Sequence, residues 1–248
     1  MSDFKMNTAE VLMAKLNINQ FSFEILNGNA KEINQEIFEQ AALYMPVTEL
    51  EEKIYYRARI INEADGEKAG IIRENGIPIT GYDVSHSGVA PADCIKENGR
   101  VNHAGEQVLY LAEDAETSCK ENKPDRDSFL SVAECCIKDH IKVADFSITV
   151  STGLADAFSA DIIQLFRLKY GIDIRALYMF VKDYMKNPNY KDKGVNYAYS
   201  LAFLDKIKKR TDLSGVKYAS FFTGKFNIAL WDENKFLKCK NSRVVRNL

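Results

Sequence analysis

The chain has 248 residues, of which 46% are hydrophobic and 27% charged, so it suits one large domain and excludes low-complexity disorder and a coiled-coil rod. Lysine and arginine total 33 against 35 acidic residues, and the formal charge of -2 gives no overall attraction to nucleic acid or anionic lipid. No stretch approaches ~18 uninterrupted apolar residues. We therefore expect no membrane span, and the charged start of the chain does not fit a secretory signal.

Cysteine and histidine usage bears on metal binding and on the redox compartment. The cysteines are odd in number, sparse and never spaced as C-x-x-C, and the three histidines are scattered singly. This pattern predicts no structural zinc, reduced thiols and a cytoplasmic location. The five cysteines are Cys94, Cys119, Cys135, Cys136 and Cys239.

The first half of the chain changes from helical to strand-like patterns. Residues 1–50 are predicted to be a helical extension, with apolar periodicity over 33–43 that ends at Pro46. Residues 53–61 (KIYYRARII) are rich in β-branched and aromatic side chains, which predicts a strand. Residues 62–98 are polar and interrupted by glycine and proline, so we expect a long loop that is either functional or disordered.

The second half mixes strands and helices without regular βαβ spacing, which favours an α+β fold over a doubly wound sheet. We expect a strand in QVLYLA and then a helix from Asp114, two strands around a Lys138-Asp139 turn, several helices, and a final strand pair after Gly215. From Lys235 onward the chain carries five basic residues and no acidic one. A frayed, solvated tail over 236–248 is the favoured interpretation.

No common catalytic motif is present. The sequence contains no G-x-x-x-x-G-K-[ST], no G-x-G-x-x-G, no G-x-S-x-G and no H-E-x-x-H. The commonest nucleotide-binding, hydrolase and zinc-protease classes therefore receive no support.

Polar residues beside the predicted strands are the remaining candidates for chemistry. Arg57 and Arg59 alternate along one strand and project to the same side, where they either face solvent or hold an anionic ligand. Arg100 follows a glycine in a loop that also contains Gly105, and this loop either approaches a ligand or is an ordinary turn. A tyrosine in an apolar strand, such as Tyr110, is more often part of the core, and a helical glutamate, such as Glu121, is more often exposed to solvent.

Taken in order, these segments resemble the RES domain, a bacterial family named for an arginine, a glutamate and a serine. YYRAR (55–59) is similar to its R-x-R strand and GRVNHAG (99–105) to its G-R-x-N-x-x-G loop. VLYLAEDAETSCKE (108–121) resembles its L-Y-x-A strand with the following helix and glutamate. GVKYASFFTGKFNIALWD (215–232) resembles its serine-containing and closing strands. The resemblance covers residues 53–233 and assigns 51–235 to one domain, followed by the tail.

The resemblance implies an ADP-ribosyltransferase-like fold, with a split β-sheet core and flanking helices around a cleft for NAD. It implies cleavage of the nicotinamide–ribose bond by hydrolysis or phosphorolysis, often in a toxin neutralised by an antitoxin protein. By motif, the catalytic residues would be Arg57, Glu121 and Ser220. The residues that bind the dinucleotide would be Tyr56, Arg59, Arg100, Asn102, Tyr110 and Asn227.

Bond cleavage leaves positive charge on the ribose, which a carboxylate such as Glu121 stabilises in the transition state. Arg57 and Arg100 are expected to bind the pyrophosphate, and Tyr110 to stack on nicotinamide. NAD is then the substrate, and no metal or cofactor is required. Two alternatives stay open: transfer of ADP-ribose to a protein or nucleic acid, and an inactive interaction module. The sequence leaves the oligomeric state open.

Overall fold

The computed structural model describes residues 31–136, 140–149, 153–186, 198–232 and 239–247. The helical prediction for residues 1–30 lies outside this part of the chain. No helix within the described ranges is long and apolar enough to cross a membrane.

Six α-helices lie in the described ranges, and capping residues mark the ends of several of them. They are α1 (Lys31–Leu43), α2 (Val84–Ser87), α3 (Ala115–Glu121), α4 (Ala160–Tyr170), α5 (Ile174–Lys186) and α6 (Ala198–Ile207). The Asp114 side chain accepts a 2.7 Å hydrogen bond from the Thr117 amide and so begins α3 one residue after the predicted start. Gly171, at a φ of 68°, ends α4 in the left-handed conformation that glycine adopts without strain.

Ten strands complete the structure. They are β1 (Val47–Glu49), β2 (Ile54–Ile60), β3 (Arg73–Glu74), β4 (Ile77–Pro78), β5 (Leu109–Ala112), β6 (Phe129–Cys136), β7 (Lys142–Phe146), β8 (Gly215–Ala219), β9 (Phe226–Leu230) and β10 (Cys239–Arg246). Eight of them form a sheet in the order β1-β7-β8-β9-β5-β2-β6-β10, and β3 pairs with β4 separately. The β7–β8 pair is parallel and the other pairs are antiparallel.

The large sheet is nearly divided between β5 and β2. Strand β2 pairs with β6 along its whole length, from Ile54 to Ile60, but with β5 only at Tyr56 and Ala112. Strands β1, β7, β8, β9 and β5 therefore form one half, and β2, β6 and β10 the other. The predicted α+β fold with a split sheet is confirmed.

Helices cover one face of the larger half. Phe203 of α6 meets Phe38 of α1 edge to face at 5.3 Å, and Tyr178 of α5 stacks on Phe146 of β7 at 5.3 Å. Phe146 and Phe203 are completely buried, and burial of each contributes about 1.5–3 kcal/mol. The helices thus pack against the larger half of the sheet. The site described below lies at the junction of the two halves.

The two strands predicted on either side of Lys138-Asp139 are present as β6 and β7, but they do not pair with each other, and the predicted turn itself lies outside the described residues. β6 lies between β2 and β10, whereas β7 lies between β1 and β8 in the other half of the sheet. Both segments have the apolar, β-branched composition of a buried strand. Composition does not specify a strand's neighbour, which here is set by long-range packing.

The expectation of a frayed basic tail is also wrong. Residues 239–246 form β10, which pairs with β6 from Cys239–Cys135 to Arg246–Phe129. Its basic side chains are typical of an edge strand, where charge discourages pairing with other chains.

Two cysteines correct the expectation of fully reduced thiols. Cys135 and Cys239 lie opposite each other on β6 and β10 with their Cα atoms 4.2 Å apart, and they form a disulfide. Cys94, Cys119 and Cys136 lie outside this disulfide. The bond closes a separation of 104 residues and fixes the C-terminal strand to the sheet.

Candidate functional site

A cavity of about 290 Å³ opens where β2 and β5 separate. Both halves of the sheet, helix α3 and the loop before β5 contribute to its walls. Six of the predicted site residues line it: Arg57, Arg59, Arg100, Tyr110, Glu121 and Asn227. Segments that are distant in the sequence thus meet at the gap where β2 and β5 no longer pair.

Glu121, the last residue of α3, is held in this cavity by three hydrogen-bond donors. Arg100 Nη1 lies 2.9 Å from Glu121 Oε2 in an ion pair. The Ser220 hydroxyl and the Asn227 amide each donate to Oε1 at 2.7 Å. The Glu121 side chain is only 16% exposed, so these bonds fix the orientation of its carboxylate.

The β8–β9 hairpin brings Ser220 and Asn227 to the glutamate. Tyr218 of β8 pairs with Asn227 of β9, and the Ser220 amide donates to the Lys225 carbonyl at 2.7 Å. Ser220 does not line the cavity and is completely buried behind Glu121. Its hydroxyl is therefore placed to orient the carboxylate.

Arg57 is a half-buried cation with a buried Nε and without a carboxylate partner in the described ranges. Its Nη1 donates to the Tyr110 carbonyl at 3.3 Å, and its Nε has no hydrogen-bond partner. Burial, with a smaller contribution from nearby Arg59, lowers the pKa of Arg57 from 12.5 to about 10. A guanidinium with a buried, unpaired Nε favours an anionic ligand.

The segment 62–98 holds Arg59. The Arg59 guanidinium lies over the Tyr82 ring at 4.4 Å and donates from Nη1 to the His86 carbonyl at 2.5 Å. The Tyr82 hydroxyl in turn donates to Asp65 at 2.5 Å. Part of the predicted loop thus supports an arginine of the cavity. Its polar sequence gave no sign of this, because the contacts are long-range.

Tyr110 anchors the loop that carries Arg100. Its hydroxyl accepts from the Val101 amide at 3.0 Å and donates to Asn102 Oδ1 at 2.7 Å. Burial raises the pKa of Tyr110, so the phenol stays protonated and able to donate. Gly99 is required beneath this bond, because a Cβ there would lie 2.3 Å from Asn102 Oδ1 and 2.9 Å from the Tyr110 hydroxyl.

Two predicted binding residues do not line the cavity. Asn102 is buried behind the loop, where its Oδ1 accepts from Tyr110 and its Nδ2 donates to the His103 carbonyl at 2.9 Å. Tyr56 packs against a small cluster that includes Leu130 and Val132. Both residues are therefore placed to support the residues that line the cavity.

Two further cavity residues, one on α3 and one directly after it, were missed by sequence reasoning. Ser118 and Asn122 hydrogen-bond to the backbone of Ala58, between Arg57 and Arg59. The one available signal was sequence spacing. Ser118 lies three residues before Glu121 and Asn122 lies one residue after it, so a helix places all three side chains on one face.

The site combines an oriented carboxylate with two guanidinium groups on β2. This arrangement can bind an anionic ligand and stabilise positive charge developing beside the carboxylate. In the described part of the chain, no group of three or more histidine, cysteine, aspartate or glutamate side chains could hold a metal ion.

Comparison with solved structures finds the crystal structure of the M. tuberculosis MbcT–MbcA toxin–antitoxin complex. The similarity covers 84% of this chain and 91% of that one, at 12% sequence identity and a TM-score of 0.45. No curated protein matches the sequence. A family model, the RES domain, matches residues 78–246, which include Arg100, Glu121 and Ser220. The chain therefore belongs to the RES domain family.

Proposed function

We propose that this protein cleaves the nicotinamide–ribose bond of NAD, with water or inorganic phosphate as the acceptor. One observation carries the proposal: the oriented carboxylate of Glu121 shares a cavity with Arg57, a half-buried cation whose buried Nε lacks a hydrogen-bond partner and which has no carboxylate partner in the described ranges. NAD offers the matching chemistry, because its pyrophosphate is anionic and its nicotinamide-bearing ribose becomes positively charged as the bond breaks.

In the proposed reaction, the bond between the ribose C1 and the nicotinamide nitrogen breaks, and both electrons leave with nicotinamide. The cationic ring departs neutral and leaves an oxocarbenium ion, which the Glu121 carboxylate stabilises. Water then adds to C1 and loses a proton to give ADP-ribose. Addition of phosphate at the same carbon gives ADP-ribose 1''-phosphate.

The geometry changes one role expected from the sequence. Arg100 forms an ion pair with Glu121, so we assign the pyrophosphate to Arg57 and Arg59 and make Arg100 an orienting partner of the carboxylate. Arginine forks suit both tasks, because each can donate two parallel hydrogen bonds.

Tyr110 lines the cavity while its hydroxyl secures the Arg100 loop. Stacking of its ring on nicotinamide stays a prediction. Such contact would exclude water from the bond that breaks.

We also propose that the protein is the toxin of a bacterial toxin–antitoxin pair, acts on the cytoplasmic NAD pool, and needs no cofactor. Membership of the RES domain family supports this role. Growth provides the test: expression of the wild-type chain should arrest a bacterial host, whereas Glu121→Gln, which removes the carboxylate charge, should not. Equal growth with both would contradict the toxin role.

The activity is tested by incubating the purified protein with NAD, with and without phosphate, while nicotinamide and the ribosyl product are followed. Free ADP-ribose or its 1''-phosphate supports the proposal and identifies the acceptor. A labelled protein or nucleic acid would indicate a transferase instead. No nicotinamide release under any condition would indicate an inactive interaction module.

A further inference from the structure

We propose that Ser118 and Asn122 are positioning residues that fix the Glu121 helix against the arginine strand. This inference rests on the proposed function, because it assigns these residues a part in the same reaction. It starts from the gap between β2 and β5.

The gap leaves both backbone polar groups of Ala58 without a strand partner on that side. Continued by two residues, the Tyr56–Ala112 register would place Ala58 opposite Tyr110. In the structure, the Tyr110 carbonyl instead accepts from Arg57 Nη1. Backbone groups at this depth require other partners.

Helix α3 and the residue that caps its C-terminal end supply those partners. The Ala58 amide donates to Ser118 Oγ at 2.6 Å, and its carbonyl accepts from Asn122 Nδ2 at 3.0 Å. Asn122 Nδ2 also donates to the Ser118 carbonyl at 2.8 Å, which fixes the amide group itself. Ser118 is 6% exposed, so water competes little for these bonds.

The placement of these bonds connects them to the reaction. Ser118, Glu121 and Asn122 occupy positions i, i+3 and i+4 of a helical segment and therefore share one face. Ala58 lies between Arg57 and Arg59. Ser118 and Asn122 bind the same residue, Ala58, from positions one helical turn apart. These two hydrogen bonds prevent α3 from sliding along β2 and from rotating about its own axis. They thereby set the spacing between the carboxylate and the two guanidinium groups.

The test compares Ser118→Ala and Asn122→Ala with the wild-type protein in steady-state cleavage of NAD. We expect kcat to fall by about 100-fold, the effect of a misplacement near 1 Å, with KM changed by less than about twofold. Ser118→Thr keeps the hydroxyl and should recover most of the loss. Ser200→Ala is the matched control, because Ser200 is a buried helical serine on α6 that does not line the cavity.

Wild-type kcat in both variants would overturn the proposal while leaving the proposed function intact. The proposal would also be overturned if Ser200→Ala lowered the melting temperature by the same amount as the two variants and lowered kcat equally. If the wild-type protein releases no nicotinamide, the proposed function fails first. The positioning role is then decided by hydrogen exchange of the Ala58 amide, which Ser118→Ala should accelerate and Ser200→Ala should not. Equal exchange in both variants would overturn it.

Discussion

Glu121 and Arg100 meet in an ion pair of 2.9 Å at the wall of the cavity, although they belong to a helix and to a loop that is separated from it by a strand. The loop is in turn secured by the hydroxyl of Tyr110. The orientation of the carboxylate thus depends on a residue of β5 as well as on its direct partner.

That dependence predicts a strong effect of Gly99→Ala. The added Cβ would displace Asn102 or the Tyr110 hydroxyl, and neither can move without breaking their shared bond. We expect a loss of about 1–3 kcal/mol in the free energy of unfolding and a fall in kcat/KM for NAD.

Gly88→Ala is the control for that variant, because a Cβ at Gly88 meets nothing within 4 Å. Chemical denaturation and initial rates give both quantities. An unchanged kcat/KM in Gly99→Ala would show that the loop does not orient Glu121.

Arg57→Met should separate activity from stability. We expect a loss of about 100-fold or more in kcat/KM, because the buried donor to the pyrophosphate is gone. The melting temperature should change little, since removal of a half-buried cation offsets the loss of its hydrogen bond to the Tyr110 carbonyl. Arg167→Met, at an exposed ion pair on α4, should retain wild-type turnover. Full activity in Arg57→Met would show that Arg57 takes no part in the proposed site.

Occupation of the cavity should stabilise the protein. ADP-ribose at about 100 times its Kd should raise the free energy of unfolding by about 2.7 kcal/mol. The shift in melting temperature should be absent in Arg57→Met. An equal shift in both proteins would place the anion elsewhere.

The same ligand should show a pH dependence that follows Arg57. Because burial lowers its pKa to about 10, the charged guanidinium destabilises the folded protein below that pH, and this penalty is lost as pH rises from about 10 towards 12.5. ADP-ribose binds the charged form, so its affinity should fall above about pH 10 in the wild-type protein. Calorimetric titration at pH 8 and above pH 10 measures this, and an affinity that does not fall would contradict the assignment.

The sequence predicted several parts of this site because their signals are local. Alternation placed Arg57 and Arg59 on one side of a strand, and Asp114 began the helix that ends at Glu121. The resemblance to the RES domain then supplied the order of the segments and the partners Ser220 and Asn227.

The remaining features depend on contacts between distant segments. Composition does not reveal that β6 and β7 lie in different halves of the sheet, or that the basic C-terminal residues pair with β6. The polar segment 62–98 packs through Tyr82, whose role beneath Arg59 has no sequence signature. The Cys135–Cys239 bond follows from that strand pairing and so could not be read from cysteine spacing.

The disulfide provides a direct check of the C-terminal strand. Protein purified without reductant and unfolded in denaturant should titrate three thiols, from Cys94, Cys119 and Cys136, and five after reduction. Five thiols before reduction would show that the bond is not formed under the conditions of expression.

Nicotinamide release from NAD by the wild-type protein and by Glu121→Gln tests the central claim most directly. The amide keeps the size of the side chain but loses the charge that would stabilise the oxocarbenium ion. We predict release by the wild-type protein and a fall of about 100-fold or more in the variant, with the variant still folded by circular dichroism. Wild-type release by folded Glu121→Gln would contradict the account.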